Sequence, residues 1–420
     1  MSQIKRKKRR KSRSSALPVI IGALVLMILF AIVALIVIPE SKNDPQIPAS
    51  EPDRSLRNFL GKDGKMRGVW IATVSNINFP SAQGLSKDTL QSELDSILAL
   101  CKEEGLNTVL FQARPCSDAL YDSHLFPTSK YLSGTQGEAA DGNFDPLGYL
   151  TEKAHAMNIA VFAWINPLRV TTNSKAVLSP DNPASLHPEW CIEYGGKTWY
   201  DPGIPEVRKL VADGVYEVVT GYDVDGVIFD DYFYPYPEDG LTFDDDNSYE
   251  KYGGDKKLGD WRRENVNDMI RQCHEAVRKA DTGAWFGVSP FGIWQNDSGF
   301  NGGSDTHGLN AYTDIYCDAL EWIESGTVDF ISPQIYWNFE SAPAPYATLV
   351  DWWKNAVDGT PVQLYISHAA YRVSEWDKDE MTKQIEYARE KGCHGSIFYG
   401  YKAITDNENG VMDAIAKVYG

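Results

Sequence analysis

Eight short runs rich in β-branched and aromatic residues recur along this chain with helix-patterned segments between them, and no other feature constrains the fold as much. The runs span residues 66–74, 108–114, 160–166, 224–231, 285–291, 329–336, 362–369 and 395–401. In the first intervening stretch Leu90, Leu94, Ile97, Leu98 and Cys101 recur at spacings of three and four, and Glu103-Glu104-Gly105 closes that helix. Val207, Leu210, Val211, Val215, Val218 and Val219 repeat the pattern, as do Val266, Met269, Ile270 and Cys273, and later Ile385, Ala388 and Arg389. Strands alternating with single helices predict a parallel sheet. Eight such units predict an α/β fold closed into a (β/α)8 TIM barrel. The 355 residues from Met66 to Gly420 hold no linker-like break, a length that suits such a barrel with insertions. Long segments follow the second, third, fourth and fifth runs, on the C-terminal face where barrels build their sites.

A different kind of sequence precedes this body. Residues 1–15 form a basic tail, with eight Lys and Arg between Lys5 and Arg13, and residues 16–38 then carry no charge at all. About 20 apolar residues rising 1.5 Å each cross the hydrocarbon core of a bilayer. The apolar region of a cleaved leader is only about 7–15 residues long and ends in small residues, unlike Ile36-Val37-Ile38-Pro39-Glu40. One N-terminal transmembrane helix is therefore expected, with its basic flank cytoplasmic. Residues 39–65 then form a linker, and 66–420 an extracellular barrel on a single-pass cell-membrane protein. Of the 40 Lys and Arg, the 32 beyond the tail face 58 Asp and Glu, a net charge of −26. Such a body repels nucleic acid and anionic lipid surfaces and leaves a neutral or amino-sugar polysaccharide open as a partner. Six cysteines without a CxxC pair exclude a zinc ribbon or a disulfide-dense miniprotein; buried free thiols are expected.

The fourth run carries the chemistry. Residues 225–236 read Asp-Gly-Val-Ile-Phe-Asp-Asp-Tyr-Phe-Tyr-Pro-Tyr, an apolar strand that ends in two carboxylates and a cluster of rings. At a barrel rim, carboxylates beside rings able to stack on sugars point to glycosidic bond cleavage. The plainer alternative is a surface turn rich in Asp and Pro. The other strand ends supply matching groups: Asn76 and Asn78 after the first run, Gln112, Arg114 and Asp118 after the second, Trp164, Asn166 and Arg169 after the third. Ser289, Trp294, Asn296 and Asp297 follow the fifth run, and Gln334, Tyr336, Trp337, Asn338 and Glu340 the sixth. His368, Tyr371, Tyr399 and Tyr401 complete the rim. Arg114, Asn166, Gln334 and Tyr336 are expected to fix hydroxyl or acetamido groups. Trp164, Tyr232, Tyr234, Trp294 and Trp337 are expected to stack on sugar faces.

Successive strand residues point to opposite faces, so Asp230 and Asp231 share the interior only if the strand breaks into a turn between them. Otherwise one acid bonds outward and the second carboxylate comes from Glu340, Asp297 or Asp118. A two-carboxylate glycosidase needs about 5–5.5 Å between the groups for retention and about 6.5–9.5 Å for inversion. The weaker signals favour bland readings. Asp244-Asp245-Asp246-Asn247 lacks the spacing of an EF-hand loop, and the dispersed histidines form no HExxH. Ser289 lacks the second glycine of a nucleophile elbow. Gly195-Gly196 and Gly302-Gly303 read as turns rather than phosphate cradles. No metal or cofactor is expected.

Several stretches together resemble a known family. They include Met66-Arg-Gly-Val-Trp70, Phe111-Gln-Ala-Arg-Pro115 leading to Asp118-Ala-Leu-Tyr121, Tyr131-Leu-Ser-Gly-Thr-Gln-Gly137 and Ala163-Trp-Ile-Asn-Pro-Leu-Arg-Val170. Asp225 to Tyr232, Asp260-Trp-Arg-Arg-Glu-Asn265, Ser289-Pro-Phe-Gly-Ile-Trp294 and Ser332-Pro-Gln-Ile-Tyr-Trp337 continue the match. From about Met66 to Phe398 the body is similar to the bacterial glycosyl-hydrolase-like family ten. The resemblance implies a glycosidase-type barrel attached to the cell envelope and, in one branch, activity on peptidoglycan glycan strands stripped of stem peptides. A more distant likeness to the α-amylase group implies a nucleophile at Asp230. That group places its acid on a Glu after strand five, where residues 285–297 of this chain hold none.

The sequence thus predicts a membrane-anchored glycoside hydrolase of cell-wall amino-sugar strands. Asp230 acts as nucleophile or charge stabiliser, and Asp231 or Glu340 as proton donor. The rival is a non-catalytic glycan-binding tether on the same barrel, which needs no proton donor; a transglycosylase or a hydrolase of exported polysaccharide differs only in acceptor or substrate.

Overall fold

The computed structural model of the chain describes residues 59–60, 63–280, 282–297 and 302–419. The 16–38 span and its basic flank lie outside the described residues. Among the described residues no helix is long and apolar enough to cross a membrane.

Eleven strands appear in chain order: β1 (Met66–Ile71), β2 (Thr108–Arg114), β3 (Ala160–Ile165), β4 (Cys191–Tyr194), β5 (Lys197–Tyr200), β6 (Gly226–Phe229), β7 (Trp285–Val288), β8 (Phe330–Ile331), β9 (Gln334–Ile335), β10 (Gln363–Ala369) and β11 (Gly395–Tyr399). Nine of them pair in parallel as β1-β2-β3-β6-β7-β8, then β10, with β9 alongside, and β11 bonds both β10 and β1. The sheet is a closed barrel of eight staves. The sixth run makes one stave from two pieces, because Pro333 offers no N–H between β8 and β9; its carbonyl still accepts Ser367 N at 3.1 Å. The remaining pair, β4–β5, is an antiparallel hairpin in the long segment after β3. Its two-residue turn is Gly195-Gly196, with φ of 59° and 67°, the left-handed geometry that two-residue hairpins favour.

A helix covers each stave: Lys87–Glu103, Pro146–Ala156, Pro205–Gly221, Leu258–Ala280, Ala319–Ser325, Tyr346–Val357, Glu380–Glu390 and Val411–Tyr419. Local chemistry starts them. Ser86 accepts Thr89 N at 3.3 Å, and Asp145 accepts Gly148 N at 3.0 Å ahead of Pro146 at the first helical position. The stripe from Leu90 to Cys101 is buried against the barrel, as are Val207, Val211, Val215, Val218 and Val219. All six cysteines are free and five are buried. Burial pushes the Cys116 thiol up to about 11 and the Cys101 thiol to about 12, so neither is a reactive thiolate.

The barrel is filled, not hollow. Trp70, Leu110, Phe162, Ile228, Phe330, Tyr365 and Ile397 form one inner cluster, which Phe59 and Leu60 join. Glycines make room for these rings. A Cβ on Gly226 would lie 2.3 Å from Phe162 and 2.6 Å from the Trp285 carbonyl oxygen, whereas one on Gly221 meets nothing within 4 Å. Gly226→Ala is therefore expected to cost more than about 3 kcal/mol. Gly221→Ala, at a helix end, should be neutral or add up to about 0.5 kcal/mol. Urea unfolding of the two variants checks this; a G226A protein as stable as the parent contradicts the packing.

Candidate active site

At the C-terminal ends of the staves lies a cavity of about 380 Å³, toward the small end of the usual range for small-molecule sites. Its walls include Trp70, Trp164, Asp230, Asp231, Tyr232, Tyr236, Ser289, Phe291, Gln334, Tyr336, Trp337, Tyr371, Arg372 and Tyr399. Strand β6 stops at Phe229 and the chain bends at Asp231, where Phe233 N bonds back to the Asp231 carbonyl at 3.0 Å. This is the turn that alternation demands. Ile228 faces the barrel interior, Asp230 continues on that face, and the bend brings Asp231 to the same cavity.

Each acid has its own donors. Asp230 Oδ2 accepts Trp164 Nε1 at 2.9 Å and Asn166 Nδ2 at 3.1 Å, while its Oδ1 accepts Asn166 Nδ2 at 3.1 Å and Tyr232 N at 3.4 Å. Asp231 Oδ1 accepts Gln334 Nε2 at 2.9 Å, and its Oδ2 accepts the Tyr236 hydroxyl. Both residues are almost completely buried. Burial pushes Asp230 up to about 6; the Arg169 guanidinium opposes the rise and the Asp231 charge adds to it. Asp231 is raised as well, again chiefly by burial, against the bonds from Tyr236 and Gln334.

Rings line the remaining walls. Tyr336 stacks on Tyr399 with centroids 6.1 Å apart and meets Tyr371 edge-on at 5.9 Å. Trp70 and Trp164 meet edge-on at 4.9 Å, as do Phe291 and Trp337 at 5.6 Å. Tyr371 is 47% exposed, an open ring face at the mouth.

Of the residues singled out in the sequence, Trp164, Asp230, Asp231, Tyr232, Ser289, Gln334, Tyr336, Trp337, Tyr371 and Tyr399 line this cavity, and Asn166 bonds Asp230. Arg114, Trp294, Glu340 and Tyr234 do not reach it. Arg114 would share the inner face of Leu110, but a register shift between Gln112 and Arg114 turns it outward. There it is buried, with the Phe126 ring 4.3 Å away and Nη1 only 2.4 Å from where a Gly214 Cβ would sit. Trp294 stacks on Trp352 at 5.5 Å beneath the loop after β7, and Phe291 occupies the cavity wall instead. Glu340 is exposed on the turn beyond β9, outside the lining. Tyr234 is buried against Arg262, two residues short of the ring that lines the cavity, Tyr236. Asp245 of the acidic run is paired with Arg262 at 2.8 Å. Trp70, Tyr236, Phe291 and Arg372 were absent from the sequence candidates, although Trp70 lies within the first run, Tyr236 ends the ring cluster of residues 225–236 and Phe291 ends the fifth run.

The profile of the glycosyl hydrolase-like 10 family matches residues 65–384. The chain belongs to this family. It is a glycoside hydrolase in class. Among its relatives, the protein named glycosyl hydrolase YngK from Bacillus subtilis (strain 168) is 41% identical over 366 residues, 84% of this chain and 71% of the relative. Glycosyl hydrolase DigH from Escherichia coli (strain K12) is 38% identical over 361 residues, 81% of this chain and 80% of the relative. The glycoside hydrolase domain of PgaB (BpsB) from Bordetella bronchiseptica superposes with a TM-score of 0.54 at 15% identity, covering 84% of this chain and 97% of that domain. The α-L-fucosidase isoenzyme 2 from Paenibacillus thiaminolyticus gives 0.51 at 14% identity, covering 84% and 49%. At such identities the superpositions show a shared barrel fold.

The raised Asp230 carboxyl has a sign that can be tested. Its folded value, about 6, lies above the unfolded value of 3.8, so the native state binds more protons between those limits and the ionised group is destabilising above about pH 6. The difference in melting temperature between Asp230→Asn and the parent should therefore shift in the variant's favour as the pH rises from 4 to 7.5. Calorimetry across that range is the check.

Proposed function

We propose that this glycoside hydrolase cleaves amino-sugar glycan strands of the cell wall, with peptidoglycan strands lacking stem peptides as its substrate. We place it outside the cell, held to the membrane by the 16–38 span. The observation that carries the reading is the meeting of Asp230 and Asp231 in one ring-walled cavity. Hydrolysis of an acetal needs a proton for the leaving oxygen and a negative charge near the developing oxocarbenium ion. Two buried carboxylates supply both. Ring faces from Tyr371, Tyr336 and Trp337 suit pyranose stacking, and Gln334 and Ser289 suit hydroxyl or acetamido groups. A cavity of about 380 Å³ suits a bare strand better than one that carries bulky stem peptides. An acetamido oxygen on the substrate is itself able to attack the anomeric carbon, with the acids then orienting and stabilising it.

The test incubates the full chain with purified glycan strands, with and without stem peptides, and examines the products by mass spectrometry. Fragments from the bare strands, lost by roughly 10²–10⁴-fold in Asp230→Asn and Asp231→Asn, are the expected result. Binding without fragments under all conditions would instead make the chain a glycan tether.

A further inference from the structure

The two acids are not equivalent, and the difference lies in what their neighbours are able to accept. A carboxylate has about four in-plane lone-pair sites. Around Asp230 four contacts fill them: Trp164 Nε1, Tyr232 N, and Asn166 Nδ2 to each oxygen. An indole N–H and a backbone N–H only donate. Asn166 is fixed in the same sense, because its Oδ1 already accepts Arg169 N at 2.9 Å and its amide nitrogen must face Asp230. A proton on either Asp230 oxygen would confront a donor.

Asp231 is built differently. Its Oδ1 faces Gln334 Nε2, whose orientation is set by a second bond to the Ser289 carbonyl at 2.9 Å, so that contact is also a pure donor. Its Oδ2 faces the hydroxyl of Tyr236. A hydroxyl both donates and accepts. Of the four oxygens in the pair, Asp231 Oδ2 alone bonds a hydroxyl, a partner able to reverse its role when a proton arrives.

We infer that Asp231 is the proton donor of the reaction, that Asp230 stays ionised through the reaction, and that Tyr236 is the positioning residue that lets Asp231 hold and release its proton. The inference rests on the glycoside hydrolase reading of this cavity. In the first step the Asp231 proton passes to the glycosidic oxygen as the bond to the anomeric carbon breaks, and that bond's electron pair stays on the departing hydroxyl. Asp231 becomes a carboxylate, and Tyr236 turns its hydrogen toward Oδ2. The attacking water then bonds the anomeric carbon and gives one proton back to Asp231. Asp230, its lone pairs already engaged, stabilises positive charge at the sugar and does not form a bond to it. One acid that donates and then receives the proton implies retention of the anomeric configuration.

Infrared titration of the full chain locates the proton without requiring any hydrolysis, and so separates failure here from failure of the glycosidase reading. One C=O stretch of a protonated carboxylic acid, titrating above the Asp230 value of about 6, should vanish in Asp231→Asn and persist in Asp230→Asn with its midpoint lowered by loss of the neighbouring charge. Tyr236→Phe should move the same midpoint, and the alkaline limb of kcat/KM, to higher pH, because a bond favouring the anion is gone; a purely structural role would leave both in place. A stretch lost in Asp231→Asn that titrates below the one lost in Asp230→Asn, or none that responds to either change, overturns the assignment. An unmoved midpoint in Tyr236→Phe removes Tyr236 from it.

Discussion

The bonds from Trp164 and Asn166 to Asp230, and from Gln334 and Tyr236 to Asp231, are what the site depends on. Neighbours on a regular strand face opposite ways. Here the ladder ends at Phe229, the chain bends, and two adjacent carboxylates enter one cavity. Buried carboxylates side by side repel each other and lose their hydration. They are tolerated because β3 on one side and the β9 stave on the other present fixed donors to each. The barrel makes this possible, since parallel closure brings the ends of staves three, four and six to the same rim.

The same arrangement has an energetic sign. Groups held against their preferred ionisation are a recurrent mark of reaction sites, where function is retained at the expense of stability. The cost is local. The surrounding rings, the filled inner cluster and the helices hold the rim rigid, and rigid elements position reacting groups more accurately than loops do. The aromatic walls serve twice, as packing for the rim and as faces for a sugar.

Most of the fold was legible because its signals are periodic. The eight runs fall on the eight staves, with ends trimmed by a few residues, and the stripes at Leu90–Cys101 and Val207–Val219 bury as their spacing requires. The split of the sixth stave hinged on Pro333, visible in the sequence but outweighed by its apolar neighbours. At the site, residues next to a strand end were found, and residues whose direction depends on irregular backbone were not. Arg114 follows a bulge that reverses its direction. Tyr236, rather than Tyr234, lines the cavity because alternation no longer applies after the bend. Arg372 comes from a short helical turn after β10, Ala370–Glu375, with no pattern of its own. The sequence named Asp231 and Glu340 alike as candidate proton donors; only the fold separates them, because Glu340 is exposed outside the cavity and Asp231 lines it.

The central claim is that both carboxylates face one glycosidic bond. The most direct measurement is a crystal structure of the Asp230→Asn protein bound to a short amino-sugar oligosaccharide. The account predicts a sugar ring against Tyr336 and Trp337, with the glycosidic oxygen about 2.6–3.2 Å from Asp231 Oδ2. An oligosaccharide seated elsewhere, or one that spans the cavity with its linkage turned away from Asp231, would contradict it.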